Sequence, residues 1–227
     1  MNEKGEIMFA EELNFRRKLV KIGRRAVSLG FVMNSQGNFS LRLPGTDYVL
    51  IKPSAIPYED IEVEDIVKVD LYGKVVDGLH KPSSEVDTHC LAYRTYPEVA
   101  GCAHVESPYL NALYAMDKEV PNVLGNFVYL FEGKGLAFGP SLRSSSEKFG
   151  KAMFDAMGNN YGVIWKNHGL FCVGPNIEVA FDRCVAAEQA AKVYWLVLAL
   201  KAGEPDVIPP QIQYEMVEAV RRGAGGG

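Results

Sequence analysis

Two short segments carry residue types suited to metal chemistry: His104-Val105-Glu106-Ser107-Pro108-Tyr109, and later Asn167-His168-Gly169. The small apolar stretch 99–104 predicts a buried strand. Residues two apart on a strand point to the same face, so His104 and Glu106 can aim at one place. His168 follows a second apolar stretch, 161–165, and Gly169 lets the chain turn or pass close to a ligand. Two imidazoles and a carboxylate are a known set for catalytic zinc with one position left open, and they also suit non-haem iron. A core histidine alone would need only a hydrogen bond. Glu106, at the edge of an apolar strand, needs a partner such as a cation. Ser107-Pro108 reads as the N-cap and first-turn proline of a helix running through Met116.

A second cluster is Pro82-Ser83-Ser84-Glu85, which joins two hydroxyls, the N–H groups of a predicted helix start and a carboxylate. Helix N-termini attract phosphate, although a capping motif without ligand has the same composition. Glu85 and His89 share a helix face. His89 reads as a hydrogen-bonded structural histidine, and His80, in a polar loop, as a solvated one. Gly37-Asn38-Phe39-Ser40 and Pro53-Ser54-Ala55 sit at element junctions, where a plain turn accounts for each alone.

The elements that must position these groups follow from periodicity. Helical spacing covers 9–29, and Gly30 ends it. A turn at 35–38 leads into a strand at 39–43, and the turn 44–47 into a strand at 48–51. A hairpin joins 66–71 to 74–76. A helix at 84–96 closes at Pro97. The aromatic run 126–131 is read as a strand. Further expectations are a helix at 144–157 starting near Ser145 or Ser146, strands at 161–165 and 170–173, a long helix at 177–200 and a last helix at 211–220. Strands in hairpins with helices between groups predict an α/β layered domain on a mixed or largely antiparallel sheet.

The chain has 227 residues, which favours one domain over 1–227, with the glycine-rich 223–227 as a frayed tail. It is 48% hydrophobic and 23% charged, as expected of a globular protein. A net charge of −4 gives no electrostatic case for nucleic acid or for an anionic membrane. No apolar run approaches a membrane span, and the polar, acidic segment 1–12 is unlike a secretory signal. The cysteines Cys90, Cys102, Cys172 and Cys184 lack paired spacing and lie in apolar stretches, as reduced core residues of a cytoplasmic protein would.

The order Gly-Asn-x-Ser, Pro-Ser-x, Pro-Ser-Ser-Glu, His-x-x-Ser-Pro-Tyr, Asn-His-Gly resembles the class II aldolase/adducin family, from about Phe9 to about Gly203. Fuculose-phosphate aldolase and ribulose-phosphate 4-epimerase are its familiar enzymes. The resemblance implies a three-layer α/β/α domain around a largely antiparallel sheet, and tetramers with active sites between neighbouring subunits. It places Asn38, Ser54, Ser83 and Ser84 in a phosphate pocket, makes Glu85 the catalytic acid/base and His104 and His168 metal ligands, and leaves His89 outside the ligand set. It further implies one divalent metal, zinc first and manganese or iron next. The implied reaction is a metal-dependent carbon–carbon cleavage of a ketose 1-phosphate to dihydroxyacetone phosphate and an aldehyde.

Three positions depart from the family pattern. Glu106 stands where a second His of His-x-His is usual, which makes the donor set more anionic. Ala55 replaces a common glycine. Aligned on Gly139, the position of the aldolases' catalytic tyrosine falls on Gly135, with Tyr129 the nearest tyrosine. These departures keep a decarboxylase, a dehydratase and a 4-epimerase open. Outside this chemistry stand a non-catalytic adducin-like assembly domain and a non-haem iron oxygenase.

Overall fold

The computed structural model describes residues 3–142, 147–200 and 203–223. Helix α1 (Glu3–Ser28) ends where Gly30 adopts a positive φ of 71°, and the chain then enters β1 (Asn38–Arg42) and β2 (Tyr48–Ile51). A second hairpin, β3 (Val67–Asp70) and β4 (Val75–Asp77), leads to α2 (Val86–Thr95), β5 (Gly101–Val105) and α3 (Pro108–Ala115). The remainder is α4 (Gly125–Leu130), β6 (Ala137–Gly139), α5 (Glu147–Met157), β7 (Gly162–Trp165), β8 (Gly169–Gly174), α6 (Ile177–Ala199) and α7 (Pro210–Arg221).

The strands form one eight-stranded sheet in the order β4-β3-β2-β1-β5-β8-β7-β6. Every neighbouring pair is antiparallel except β6 with β7. Side chains alternate across it as strand period two demands. Phe39, Leu41, Leu50, Ala103, Val105 and Leu170 point into one core, which α1, α3, α4 and α6 cover. Val49, Ile51, Cys102, Val163, Trp165 and Phe171 point into the other, which α2 and α5 close with Tyr93, Phe149 and Met153. Helices on both faces make the three-layer α/β/α domain the sequence predicts. Each fully buried Leu, Ile or Phe contributes roughly 1.5–3 kcal/mol, so the two cores hold the sheet from both sides. The four cysteines are buried and free.

Three readings of the sequence change, and one falls outside the described residues. The run 126–131 is helical, as α4, with Phe127, Val128 and Phe131 buried. An extra edge strand, β6, runs parallel to β7. The serine-led start of the 144–157 helix lies partly outside the described residues, as do 224–227 of the expected tail. Ser107 precedes Pro108 as expected but does not cap α3: its φ is +42°, and its side chain makes no cap hydrogen bond. The carboxylate of Glu188, on α6, accepts instead from the N–H groups of Tyr109 (2.9 Å) and Leu110 (3.1 Å). A charged acceptor from a neighbouring helix satisfies donors that a helix start leaves open.

Candidate metal centre and active site

The sheet edge is where the chemistry-bearing residues meet. Asn38 opens β1 and pairs across the ladder with His104 near the end of β5, and His104 pairs in turn with Phe171 of β8. The turn between β7 and β8 brings His168 to the same edge. Gly169 is required there: a Cβ would lie 2.3 Å from the Val105 carbonyl and 3.0 Å from Cε1 of His104. Asn167, at φ +58°, makes the turn in a conformation asparagine tolerates.

His104 is buried, and its ring stacks on Trp165 at 4.3 Å between centroids. Its Nδ1 lies 3.1 Å from the Leu170 carbonyl, an acceptor, so Nδ1 carries the proton. That leaves the Nε2 lone pair, which is buried and has no hydrogen-bond partner. Burial pushes the imidazole down to about 4, so it is neutral at pH 7. Glu85 sits at the N-cap position of α2 and is 5% exposed. Its Oε2 lies 3.8 Å from His104 Nε2, and its Oε1 lies 3.4 Å from His168 Nε2. One donor atom from each of Glu85, His104 and His168 falls within 4.8 Å of the others. Burial raises the Glu85 carboxyl, while a hydrogen bond from Asn38 Nδ2 (2.8 Å) and the nearby His168 oppose that rise. His168 is lowered by burial and then by His104. A buried imidazole nitrogen with nothing to bond, facing a second imidazole and a carboxylate, suits a divalent cation.

These groups line a cavity of about 410 Å³. Glu106 stands in its wall, its carboxyl pushed up to about 7 by burial and then by Glu85. The three residues with close donor atoms do not include Glu106. The far rim is made by two loops. Ser54 N–H donates to the Lys81 carbonyl at 2.9 Å, Ser83 N–H donates to that of Lys52 at 3.1 Å, and Pro53 bridges Pro82. This brings Ser54, Ser83 and Ser84 to the same cavity as Asn38. Ser83 is buried, Ser54 half-buried and Ser84 exposed. Ala55 has a φ of +61°, in the left-handed region, which explains physically why glycine suits this position.

Sequence reasoning passed over Lys52. It is 3% exposed, its Nζ donates to the Ser35 carbonyl at 2.8 Å, and it lies 4.7 Å from the Tyr58 ring centre. Burial lowers its ammonium to about 8, and among the described residues no carboxylate pairs with it. A lone lysine after a strand has no motif around it. Only the loop pairing shows that it faces the same cavity as the serines.

The remaining histidines behave as read, with one refinement. His89 is buried and bonded at both ring nitrogens, to Ser40 and to Asn38. His80 is held by Asp65 at 2.9 Å rather than only by solvent. Asn111, on α3, ties the two metal-side loops by donating to the carbonyls of Glu106 and, at 3.2 Å, of His168. Tyr129 lies on α4, and neither it nor Gly135 lines the cavity.

Comparison with known proteins places this geometry. Residues 17–195 match the class II aldolase and adducin N-terminal domain. The 5-deoxy-D-ribulose 1-phosphate aldolase of Bacillus thuringiensis serovar kurstaki is 30% identical over 194 residues, covering 86% of this chain and 89% of that protein. An L-ribulose-5-phosphate 4-epimerase of Salmonella paratyphi A is 29% identical over 188 residues, 77% of this chain and 81% of the epimerase. Among solved structures, an L-fuculose 1-phosphate aldolase superposes with a TM-score of 0.82 at 27% identity, covering 91% of this chain and 95% of that one. The layered fold, the edge of the sheet that gathers Glu85, His104 and His168, and the match across most of the chain agree: this protein belongs to the class II aldolase and adducin family.

Proposed function

We propose that the chain is a metal-dependent carbon–carbon lyase that cleaves a ketose 1-phosphate to dihydroxyacetone phosphate and an aldehyde. The observation that carries this reading is the pairing, in one cavity, of the Glu85–His104–His168 group with an anion rim of Lys52, Ser54, Ser83 and Ser84. His104 and His168 would hold the cation, and Glu106 is the wall carboxylate that would complete the donor set. Bound there, the cation would supply Lewis-acid stabilisation of the negative charge that develops on the substrate oxygens. Lys52 and the serine loops hold the phosphate and so fix which carbons face Glu85. In the cleavage direction the C3–C4 bond breaks and its electron pair stays on C3, the C4 hydroxyl gives its proton to solvent water in the cavity as the aldehyde forms, and Glu85 delivers a proton to C3. Burial raises the Glu85 carboxyl above its ordinary range, the direction that favours proton delivery by this group.

Zinc is the proposed metal, with manganese or iron next, since Glu106 adds a hard oxygen donor beside Glu85. A homotetramer in the cytoplasm completes the proposal. The four buried free thiols suit a reducing compartment, and no helix among the described residues is long and apolar enough to cross a membrane. The acidic wall at Glu106 also favours, as a second reading, a family relative such as the 4-epimerase, decarboxylase or dehydratase.

The test is release of dihydroxyacetone phosphate from ketose 1-phosphates, run beside elemental analysis of the purified protein. The expected result is about one equivalent of metal per chain and turnover that Glu85→Gln lowers by about 10²–10⁴-fold. Full activity in Glu85→Gln would remove Glu85 from the mechanism. Turnover of a 4-epimerase or β-keto acid substrate without aldol cleavage would replace the lyase reading by its relative.

A further inference from the structure

Behind Glu85 runs a chain of buried polar groups that the proposed reaction does not use. Asn38 Nδ2 donates to Glu85 Oε2 at 2.8 Å. Asn38 Oδ1 therefore faces away and meets His89 Nε2. A carbonyl oxygen can only accept, so Nε2 must carry the imidazole proton. His89 Nδ1 is then an acceptor, and the hydroxyl of Ser40, 2.6 Å away, must donate to it. The Ser40 oxygen in turn lies 2.7 Å from the Tyr93 hydroxyl, which is left as its donor. Each step permits one direction only. The chain starts in the core under α2 and ends on the carboxylate.

The surroundings keep the order from reversing. Ser40, His89 and Tyr93 are each 1% exposed or less, so no solvent water can substitute for a missing partner. Burial drops the His89 imidazole to about 3, so it stays neutral and keeps one acceptor nitrogen. Its ring meets Phe171 edge-on at 5.1 Å, which fixes its plane. An asparagine amide has two orientations. Turned the other way, Asn38 would place its carbonyl oxygen against the carboxylate and its NH2 against a nitrogen that already bears a proton.

We propose that Ser40 and His89 are positioning residues that lock the Asn38 amide with its donor toward Glu85, and so hold the Glu85 carboxylate in its working orientation. Asn38 thereby has two tasks, since it also lines the cavity. His89 acts through Asn38 and touches no substrate. The effect on turnover rests on the lyase reading above, whereas the tautomer of His89 does not.

The first measurement is the tautomer, read by nitrogen NMR on protein with isotope-labelled histidines. The chain has four histidines, few enough to assign by substitution. The proton is expected on Nε2 of His89, and a proton on Nδ1 overturns the proposal whether or not the protein proves to be an aldolase. The second measurement compares His89→Leu, which can neither donate nor accept, with His89→Gln, whose amide can do both. His89→Leu is expected to lose about 10–100-fold in kcat at full metal content, as is usual when a supporting hydrogen bond behind a working group goes. KM should change little, and His89→Gln should recover most of the loss. Equal losses in both variants, or a loss confined to metal content or KM, would make His89 a packing residue and overturn the role. If the wild-type protein cleaves no ketose 1-phosphate, the lyase reading fails and the tautomer still decides the lock.

Discussion

The two walls of the cavity are built by different means. On the metal side His104 is fixed by the Leu170 carbonyl, by the face of Trp165 and by the β1–β5–β8 ladder. Glu188 and Asn111, from α6 and α3, then hold the loop that follows it. On the anion side, loops 52–55 and 81–84 touch through two backbone hydrogen bonds and a bridge, with Ser84 and Ala55 exposed. A cation site needs donor atoms placed to a fraction of an ångström, so rigid elements supply them. A phosphate accepts bonds from many directions, so in the proposed reaction a loop rim with one buried lysine would suffice. The difference shows where precision is required and where charge alone serves.

The largest effect should come from breaking the rigid side at its centre. His104→Ala should abolish metal retention, read by elemental analysis. It should lower turnover by about a thousandfold, the several kcal/mol that a Lewis acid contributes. Retained metal in that variant would shift the site away from the sheet edge. Next, Glu188→Ala leaves the Tyr109 and Leu110 N–H groups without their acceptor, at about 1–3 kcal/mol for each buried group left unpaired. Denaturant unfolding should show a loss of about 2–4 kcal/mol, and Glu188→Gln, which keeps an acceptor oxygen, a smaller one.

On the anion side, Lys52→Ala should raise KM for a phosphorylated substrate about 10–100-fold, the worth of a charged hydrogen bond, with metal content unchanged. Its pH dependence has a definite sign. Burial lowers Lys52 to about 8, so the charged form that attracts phosphate is present below that pH and is lost above it. KM should therefore rise in the wild type above pH 8 and stay flat in Lys52→Arg, whose charge does not titrate there. The smallest effect is Ala55→Gly. Relief of the left-handed strain, less the extra freedom glycine gives the unfolded chain, should add about 0.5–1 kcal/mol of stability and leave metal binding alone.

Much of this was legible in the sequence because it is periodic. Alternation along β1, the short apolar runs of β5 and β7, and the helical spacing of α1 place most elements within a few residues. The run 126–131 misled because a short apolar, aromatic stretch reads equally as strand or helix. Strand β6 was missed because three residues at a sheet edge carry no period. Ser107 failed as a cap because its acceptor role passed to Glu188, seventy-nine residues beyond the Tyr109 N–H it accepts from, and no local rule sees that distance. Glu85, His104 and His168 were legible as separate motifs. Their meeting, and the presence of Lys52, depended on strand order.

The pairing of Asn38 with His104 has a consequence for what changes of length the chain can bear. Along β1 odd positions are apolar and even positions polar, while along β5 Ala103 and Val105 face the core under α6 and Cys102 and His104 the opposite side of the sheet. Inserting a single residue ahead of Ala103 within β5 would turn the His104 imidazole into the core under α6 and send Ala103 to the cavity. Inserting two would keep the parity and move the ligand by one pleat. The site is thus written in counting as much as in residue type. Single-residue insertions should be lethal in these strands and tolerated at the exposed hairpin turn between β1 and β2, where nothing downstream has to keep count.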